Sequence, residues 1–262
     1  MYPRIQLCSL EIGSYVLCGL AAVTVSALLM RRELVRNHYP KHVWLILAAV
    51  GLPAGTLGSK VYDVLEKWDL FVLSPFEVFF RLPGQAWYGA FIAGSAATAL
   101  ALRMMRLPVL NVFDLAAPVI PLGHALGRLG CFLSGCCHGI PSSVPWALPF
   151  PHGLYPADVP VHPTQLYEML AYLCISAVLW KMRDRETADG VRIGLYLVLS
   201  GCARLAIEFY RLNPPVMLHL TAPQWIAMAG MSLGLLLLVK GRRESVPRSH
   251  HLATAADRRR GA

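Results

Sequence analysis

Long apolar segments recur along this chain, and they restrict the folds that it can adopt. Hydrophobic residues make up 56% of the 262 residues, whereas charged residues make up only 15%. Soluble domains usually carry about 25% charged residues, so this composition is typical of an integral membrane protein. Inside a bilayer the backbone must satisfy its own hydrogen bonds, and we therefore expect an all-α polytopic membrane protein.

Seven segments are predicted to form transmembrane helices. They comprise residues 13–30, 43–64, 87–102, 110–133, 165–180, 193–209 and 223–239. The alternative is six spans with a re-entrant segment, either near residues 71–80 or within the fourth segment. The whole chain, residues 1–262, is expected to form one membrane domain, in which the basic residues 240–262 are a disordered cytoplasmic tail.

The distribution of basic residues predicts the orientation of these helices. Most of the 24 lysines and arginines follow the first, third, fifth and seventh segments. By the positive-inside rule this side is cytoplasmic, so the N-terminus lies outside and the C-terminus inside. Residues 1–15 lack the basic start and cleavage site of a secretory signal. The net charge of +9 then reflects topology and attraction to anionic lipid, and it gives little reason to invoke nucleic acid.

Two arginines lie inside predicted spans, Arg128 in the fourth and Arg204 in the sixth. A charge at the centre of a membrane helix costs roughly 2.5–3.5 kcal/mol on insertion scales, so such a residue usually faces a polar cavity. A guanidinium binds phosphate through paired hydrogen bonds, and a phospholipid headgroup is the obvious anion in a bilayer. The alternative, compatible with the first, is an intramembrane salt bridge to Glu168 or Glu208.

Other polar residues accompany these arginines. Glu208 follows Arg204 by four residues and therefore shares its helix face. Asp114 lies near the cytoplasmic end of the fourth segment, where it either caps a helix or pairs with Arg106. His162 stands at the entry to the fifth helix, where the following proline suits a first helical turn. It is either a base or a helix-entry histidine without a chemical role.

Cysteines cluster near the outer end of the fourth segment. The stretch contains Cys131, Cys136, Cys137 and His138. Its Cys-x4-Cys-Cys-His spacing is not a standard zinc pattern. A disulfide or the packing of small residues is the favoured interpretation, since the outer face permits disulfides. Metal binding and a reactive thiol are the alternatives.

Four stretches, in this order, resemble the prolipoprotein diacylglyceryl transferase family. They are GRLGCFLSGCCHG (127–139), HPTQLYE (162–168), ARLAIEFYR (203–211) and LTAPQW (220–225), which contains Gln224. Asp114 fits the family's aspartate ahead of the first stretch. The resemblance covers the full length, and it implies seven spans, an outer N-terminus and residence in the bacterial cytoplasmic (inner) membrane.

The resemblance implies a transferase that moves the sn-1,2-diacylglyceryl group of phosphatidylglycerol to a thiol. The acceptor is the lipobox cysteine of a prolipoprotein signal peptide, and glycerol-1-phosphate is released. Arg128 and Arg204 then hold the phosphate and stabilise the departing charge, while Glu208 orients them. The implied substrate-binding positions are Asp114, Arg128, Gly139, His162 and Gln165. Neither a cofactor nor a metal is implied.

Several matched positions depart from the family pattern. Tyr88 stands where the family commonly has a histidine that is a candidate base, and we take it as the catalytic replacement. Cys18, Cys131 and Cys136 stand in place of a tyrosine, an asparagine and a glutamate. A tyrosine with an ordinary pKa near 10 is a poor base at neutral pH, so the identity of the base stays open. The other candidates are His124, His138 and His162.

Two alternative functions accompany that of a divergent prolipoprotein transferase. One is a paralogous transferase that uses the same lipid donor with a different acceptor. The other is a non-catalytic phospholipid-binding membrane protein. The first predicts lipid-dependent turnover without modification of a lipobox peptide, and the second predicts phospholipid binding without turnover.

Overall fold

The computed structural model of the chain describes residues 4–7, 10–81 and 87–245 and consists mainly of helices. The helices are α1 (Ser14–Arg36), α2 (Val43–Glu66), α3 (Trp68–Leu73), α4 (Trp87–Met104), α5 (Val109–Ala116), α6 (Val119–Ser134), α7 (Thr164–Lys181), α8 (Val191–Glu208) and α9 (Ala222–Ser245), with a short π-helix at Glu77–Arg81. Antiparallel hairpins pair β1 (Arg4–Leu7) with β2 (Leu10–Gly13), β3 (Leu148–Phe150) with β4 (Ala157–Val161) and β5 (Pro215–Met217) with β6 (Leu220–Thr221).

Helices occupy all seven segments for which the sequence predicted them. The fourth segment is divided, because α5 ends at Ala116 and α6 begins at Val119. Pro118 lies in this break, and a proline disfavours helical geometry in the preceding residue and has no N–H to donate. The α9 helix continues to Ser245, beyond the predicted end at residue 239. The remainder of the predicted tail lies outside the described residues.

Several of these helices have the length and composition of membrane spans. Within the described ranges α1, α2 and α9 meet this description, and α5 with α6 adds a fourth if the pair forms one broken span. The α4, α7 and α8 helices have 18 residues each. At ~1.5 Å per residue they are ~27 Å long, close to the ~30 Å of a hydrocarbon core. Residues 68–81, around the alternative re-entrant segment, form α3 and the π-helix.

One of two compact units comprises Val23–Leu115. Its α2 and α4 helices approach closely at Gly58 and Gly89, where a Cβ added to either residue would collide with the backbone of the other. Small residues allow such close contact between membrane helices. The core of this unit consists of Leu34, Val43, Leu47, Leu102, Val112 and Leu115.

The other unit comprises residues 1–22 and 116–262. In it α6 packs against α7, α7 against α8, and α8 against α9. The α8 and α9 helices meet at two glycines, since a Cβ on Gly194 would lie 3.0 Å from the carbonyl oxygen of Gly234. This packing places polar side chains from α6, α7 and α8 in one buried region.

Candidate active site

A buried arginine cluster joins α6, α7 and α8; we define it as Arg128, Glu168, Arg204, Glu208 and Arg211. Glu168 is 1% exposed, and its Oε1 accepts hydrogen bonds from Nη1 of Arg204 at 2.5 Å and from Nη1 of Arg211 at 2.9 Å. Its Oε2 forms an ion pair with Nε of Arg128. Nη2 of Arg204 also pairs with Oε2 of Glu208 at 2.8 Å. The structure therefore brings the predicted Arg128, Arg204 and Glu208 together.

Two members of the cluster were not predicted as site residues. Glu168 entered the sequence analysis only as a salt-bridge partner, and Arg211 had no assigned role. The alternative salt bridges of Arg128 and Arg204 are present in the structure. Glu168 lies within a predicted span, where a carboxylate needs a partner, and this signal could have identified it as a site residue.

The arginine cluster has an excess of positive charge. It contains three guanidinium groups and two carboxylates, which leaves one positive charge unbalanced. A buried charge is costly unless it is paired, so the cluster is suited to bind a monoanion such as a phosphodiester. The side chains of Arg128 and Arg211 are 13% and 11% exposed, so a ligand can reach them.

Glu208 connects the cluster to the start of α9. Its Oε1 accepts hydrogen bonds from Nδ2 of Asn213 and Oγ1 of Thr221, both at 2.7 Å. The Thr221 N–H donates to Oε1 of Gln224 at 2.8 Å, and the Gln224 N–H donates to Oγ1 of Thr221 at 3.4 Å. This reciprocal pair is a capping box, which satisfies the free N–H groups of a helix start. Gln224 of the LTAPQW stretch therefore fixes Thr221, which in turn donates a hydrogen bond to Glu208.

Gly139 allows two loops to approach closely beside the cluster. Its N–H donates to the His162 carbonyl at 2.8 Å, and the Ile140 N–H donates to the Tyr210 carbonyl at 3.0 Å. A Cβ at Gly139 would collide with the Tyr210 carbonyl oxygen. Gly139 also forms a bridge with Arg211. The predicted Gly139 therefore acts through its lack of a side chain, because that permits the loop contact beside Arg211.

His162 is held in a hydrogen-bond chain with two aromatic residues. Nε1 of Trp146 donates to the Tyr167 hydroxyl at 2.6 Å, and that hydroxyl lies 3.0 Å from Nδ1 of His162. An indole N–H only donates, so the hydroxyl accepts from Trp146, and its role toward Nδ1 depends on the histidine tautomer. Nδ1 of His162 is thus already engaged with a hydroxyl group.

The loop after α6 is fixed by the start of α7. Gln165 is fully buried, and its Nε2 donates to the Cys136 carbonyl at 2.7 Å. Oγ1 of Thr164 donates to the Cys137 carbonyl at 2.8 Å. The predicted Gln165 therefore contacts this loop.

Cys131, Cys136 and Cys137 are free thiols in the structure. The disulfide that the sequence analysis favoured, jointly with small-residue packing, is therefore absent from these three residues. Their sulfur atoms nevertheless lie close together, within 4.8 Å of one another.

The remaining predicted residues lie in varied environments. Tyr88 and Asp114 belong to the Val23–Leu115 unit, where the Tyr88 ring centroid is 6.5 Å from that of Tyr62 and Asp114 is buried inside α5. In the other unit His124 is buried and stacks on Tyr172 with ring centroids 3.9 Å apart. The imidazole of His138 lies against the carbonyl oxygens of Gly139 and Tyr155.

An arginine cluster with excess positive charge, buried among apolar helices, is the arrangement expected of a membrane protein with a polar internal site. The model of the prolipoprotein diacylglyceryl transferase family matches residues 4–240, and the chain therefore belongs to this family. The resemblance inferred from the four sequence stretches is thereby confirmed.

Curated relatives agree with this assignment over most of their length. The phosphatidylglycerol–prolipoprotein diacylglyceryl transferase of Rhodospirillum rubrum is 32% identical, covering 92% of this chain and 94% of the relative. The protein of the same name from Idiomarina loihiensis is 31% identical over 82% of each chain. That from Clostridium tetani is 30% identical over 85% of this chain and 89% of its own.

Proposed function

We infer that this chain is a phosphatidylglycerol–prolipoprotein diacylglyceryl transferase of lipoprotein biosynthesis. Family membership and the names of the relatives support this activity. The observation that carries the inference is the arginine cluster, since its excess positive charge matches the single negative charge of a phosphodiester headgroup. The acceptor in this proposal is the lipobox cysteine of a prolipoprotein signal peptide.

The chemistry separates the diacylglyceryl group from the phosphate. The acceptor sulfur attacks the glyceryl carbon bonded to the phosphate oxygen, so a C–S bond forms and the C–O bond breaks. Glycerol-1-phosphate leaves with the bonding electron pair, and the thiol proton passes to water or to the released phosphate monoester, so that atoms and charge balance. Negative charge grows on the departing phosphate, and Arg128, Arg204 and Arg211 supply donors that stabilise this charge.

The two glutamates act on the arginines rather than on the lipid. Glu168 pairs with all three guanidinium groups and keeps them directed at one point. Glu208 holds Nη2 of Arg204 and is itself fixed by Thr221. Donors that are positioned before the substrate arrives need no reorganisation during the reaction. Asp114 and Tyr88 belong to the other unit and stay predictions from the sequence, with Tyr88 in place of the family's histidine.

The proposal includes a membrane arrangement. We place seven spans across the bacterial cytoplasmic (inner) membrane, with the N-terminus outside and the C-terminus in the cytoplasm. The basic residues after alternate spans support this orientation. The lengths of α4, α7 and α8 are compatible with spanning a thin or locally adapted bilayer.

Complementation tests the proposed activity directly. A strain depleted of its own transferase is expected to grow when it expresses this chain, but not when it expresses Arg128→Ala or Arg204→Ala. The matched control is Arg103→Ala, since Arg103 is an exposed arginine on α4 and its loss is expected to leave growth unchanged.

A purified assay identifies the acceptor. Phosphatidylglycerol and a lipobox peptide are incubated with the protein in detergent, and mass spectrometry measures the added diacylglyceryl mass on the peptide. Release of glycerol-1-phosphate without peptide modification would indicate a different acceptor. Binding of phosphatidylglycerol without release of product by the well-folded wild type would refute the enzymatic proposal.

A further inference from the structure

We propose that Cys131, Cys136 and Cys137 form a three-thiolate site for one thiophilic metal ion, with Cu(I) as the ion whose coordination the site suits. Their three sulfur atoms all lie within 4.8 Å of one another, and all three are free thiols. This site is additional to the transferase activity, and its existence does not depend on that activity.

The end of α6 brings the first two thiols together. Gly135 follows α6 with a φ of 65°, and its N–H donates to the Phe132 carbonyl at 3.1 Å. The Cys136 N–H donates to the Cys131 carbonyl at 3.1 Å. These two bonds form a Schellman motif, which reverses the chain at a helix end. Cys136 is thereby returned to the last turn of α6, with its sulfur 3.6 Å from the Cys131 carbonyl oxygen.

The third thiol is held by an unusual backbone conformation. Cys137 has a φ of 62°, a left-handed value that non-glycine residues adopt rarely and at a cost. The hydrogen bonds from Gln165 to the Cys136 carbonyl and from Thr164 to the Cys137 carbonyl maintain this conformation. The start of α7 thus holds the thiols in place before any ion binds.

The number of ligands favours Cu(I). With metal–sulfur bonds of ~2.3 Å, a planar three-thiolate site has sulfur atoms ~4 Å apart, so only a small contraction of the cluster is needed. Soft thiolates select Cu(I), whereas structural Zn²⁺ is almost always four-coordinate. The adjacent His138 does not supply a fourth ligand in this arrangement, because its ring nitrogens lie 3.3 Å and 3.0 Å from the carbonyl oxygens of Gly139 and Tyr155.

The surroundings offset part of the charge of the complex. Three thiolates with Cu(I) carry two negative charges, and Cys131 and Cys136 are each 8% exposed. A buried anionic complex requires cationic neighbours. The guanidinium groups of Arg128 and Arg211 act electrostatically on Cys137 and offset part of this charge. Arg128 also precedes Cys131 by three residues on α6, so both lie on one side of that helix.

The test is a Cu(I) titration of the reduced full-length protein in detergent without oxygen, in competition with a chromogenic chelator. We expect one equivalent of Cu(I) per chain, with a dissociation constant below the micromolar range. Cys131→Ser, Cys136→Ser and Cys137→Ser are each expected to weaken binding at least tenfold. The matched control is the double variant Cys174→Ser/Cys202→Ser, which removes exposed cysteines on α7 and α8 and is expected to bind like the wild type.

A second measurement uses only the wild-type protein, so it stands even if a variant fails to fold. After alkylation with iodoacetamide, mass spectrometry is expected to show that Cu(I) protects the three clustered cysteines but leaves Cys174 and Cys202 reactive. Unchanged alkylation of the cluster, or Cu(I) binding that survives replacement of all three thiols, would overturn the proposal. Tighter binding of Zn²⁺ than of Cu(I) would overturn the assignment of the site to Cu(I).

Discussion

At the scale of single residues, Glu168 is the buried carboxylate on which the three arginines of the cluster converge. Its carboxylate contacts three guanidinium groups, and the residue is 1% exposed. Removing one member of a buried ion pair leaves the other charge uncompensated, which usually costs more than the pair itself contributes. The effect of losing Glu168 is therefore governed by repulsion among the arginines that remain.

We expect Glu168→Gln to reduce stability by about 3–5 kcal/mol, because an amide of the same shape removes a negative charge that the three arginines share. The measurement is the free energy of unfolding in detergent. Asp184→Asn is the control, since the Asp184 side chain is 59% exposed in its pair with Arg183, and its loss is expected to cost under about 1 kcal/mol. Equal effects of the two changes would contradict the central role of Glu168.

Tyr88 gives the second prediction at this scale. If its hydroxyl handles the proton that the family's histidine would handle, Tyr88→Phe is expected to lower kcat by about 100-fold, the lower end of acid–base contributions. Steady-state turnover with phosphatidylglycerol and a lipobox peptide measures the change. Tyr62→Phe removes the hydroxyl of the neighbouring ring and is expected to be near neutral. Unchanged turnover in Tyr88→Phe would exclude Tyr88 from the mechanism.

At the scale of elements, the loop after α6 and the end of α8 are joined through Gly139. This contact lies between two clusters of side chains. The cysteine cluster precedes Gly139 in the chain, and Arg211 of the arginine cluster lies opposite Gly139. The loop contains no long regular element, so its position depends on backbone hydrogen bonds to His162 and Tyr210. A change at Gly139 therefore acts on both groups together.

Gly139→Ala is expected to destabilise the protein by about 1–3 kcal/mol, because the added methyl group would collide with the Tyr210 carbonyl and lie 3.0 Å from the His162 Cβ. It is also expected to lower transferase activity by displacing Arg211. Thermal unfolding and the peptide assay measure these effects. Gly230→Ala is the matched control, since a Cβ there has open space around it within α9. Full activity of Gly139→Ala would show that the close approach is dispensable.

At the scale of the whole molecule, apolar periodicity and charge predicted the helices but not their partners. The seven helical segments were recognisable because a helix in lipid makes all of its backbone hydrogen bonds within its own segment, so local sequence is enough to predict it. The pairing of Arg204 with Glu208 was also recognisable, since both lie on one helix face. The salt bridge between Arg128 and Glu168 was a stated alternative. The contact of Arg211 with Glu168 was not predicted, because these residues come from the loop after α8 and from α7 and meet only through tertiary packing.

The spacing of the cysteines in the sequence did not predict the geometry of the thiol cluster. Its geometry depends on the left-handed conformations of Gly135 and Cys137, and on the hydrogen bonds that Thr164 and Gln165 donate to the loop. A left-handed cysteine is rare enough that no sequence rule predicts it. The sequence therefore indicated the presence of the thiols but not their mutual distances.

The proposed orientation yields a prediction for the intact chain. A green fluorescent protein fused after residue 262 is expected to fluoresce, whereas alkaline phosphatase fused there is expected to be inactive, because the positive-inside rule places this end in the cytoplasm. Reporter activity in whole cells provides the measurement. A control fusion truncated after residue 212, in the loop beyond α8, is expected to show the opposite pattern. Active phosphatase at residue 262 would contradict the orientation.

The carboxylate at the centre of the arginine cluster has a consequence for selectivity among anions. Glu168 already neutralises part of the charge of the arginines, so chloride or free phosphate meets only the remaining positive charge and brings no other favourable contact. A lipid also retains its acyl chains in an apolar environment and is delivered along the bilayer at high local concentration. The internal carboxylate therefore weakens the binding of soluble ions, while a ligand anchored in the membrane adds the apolar contacts that they lack.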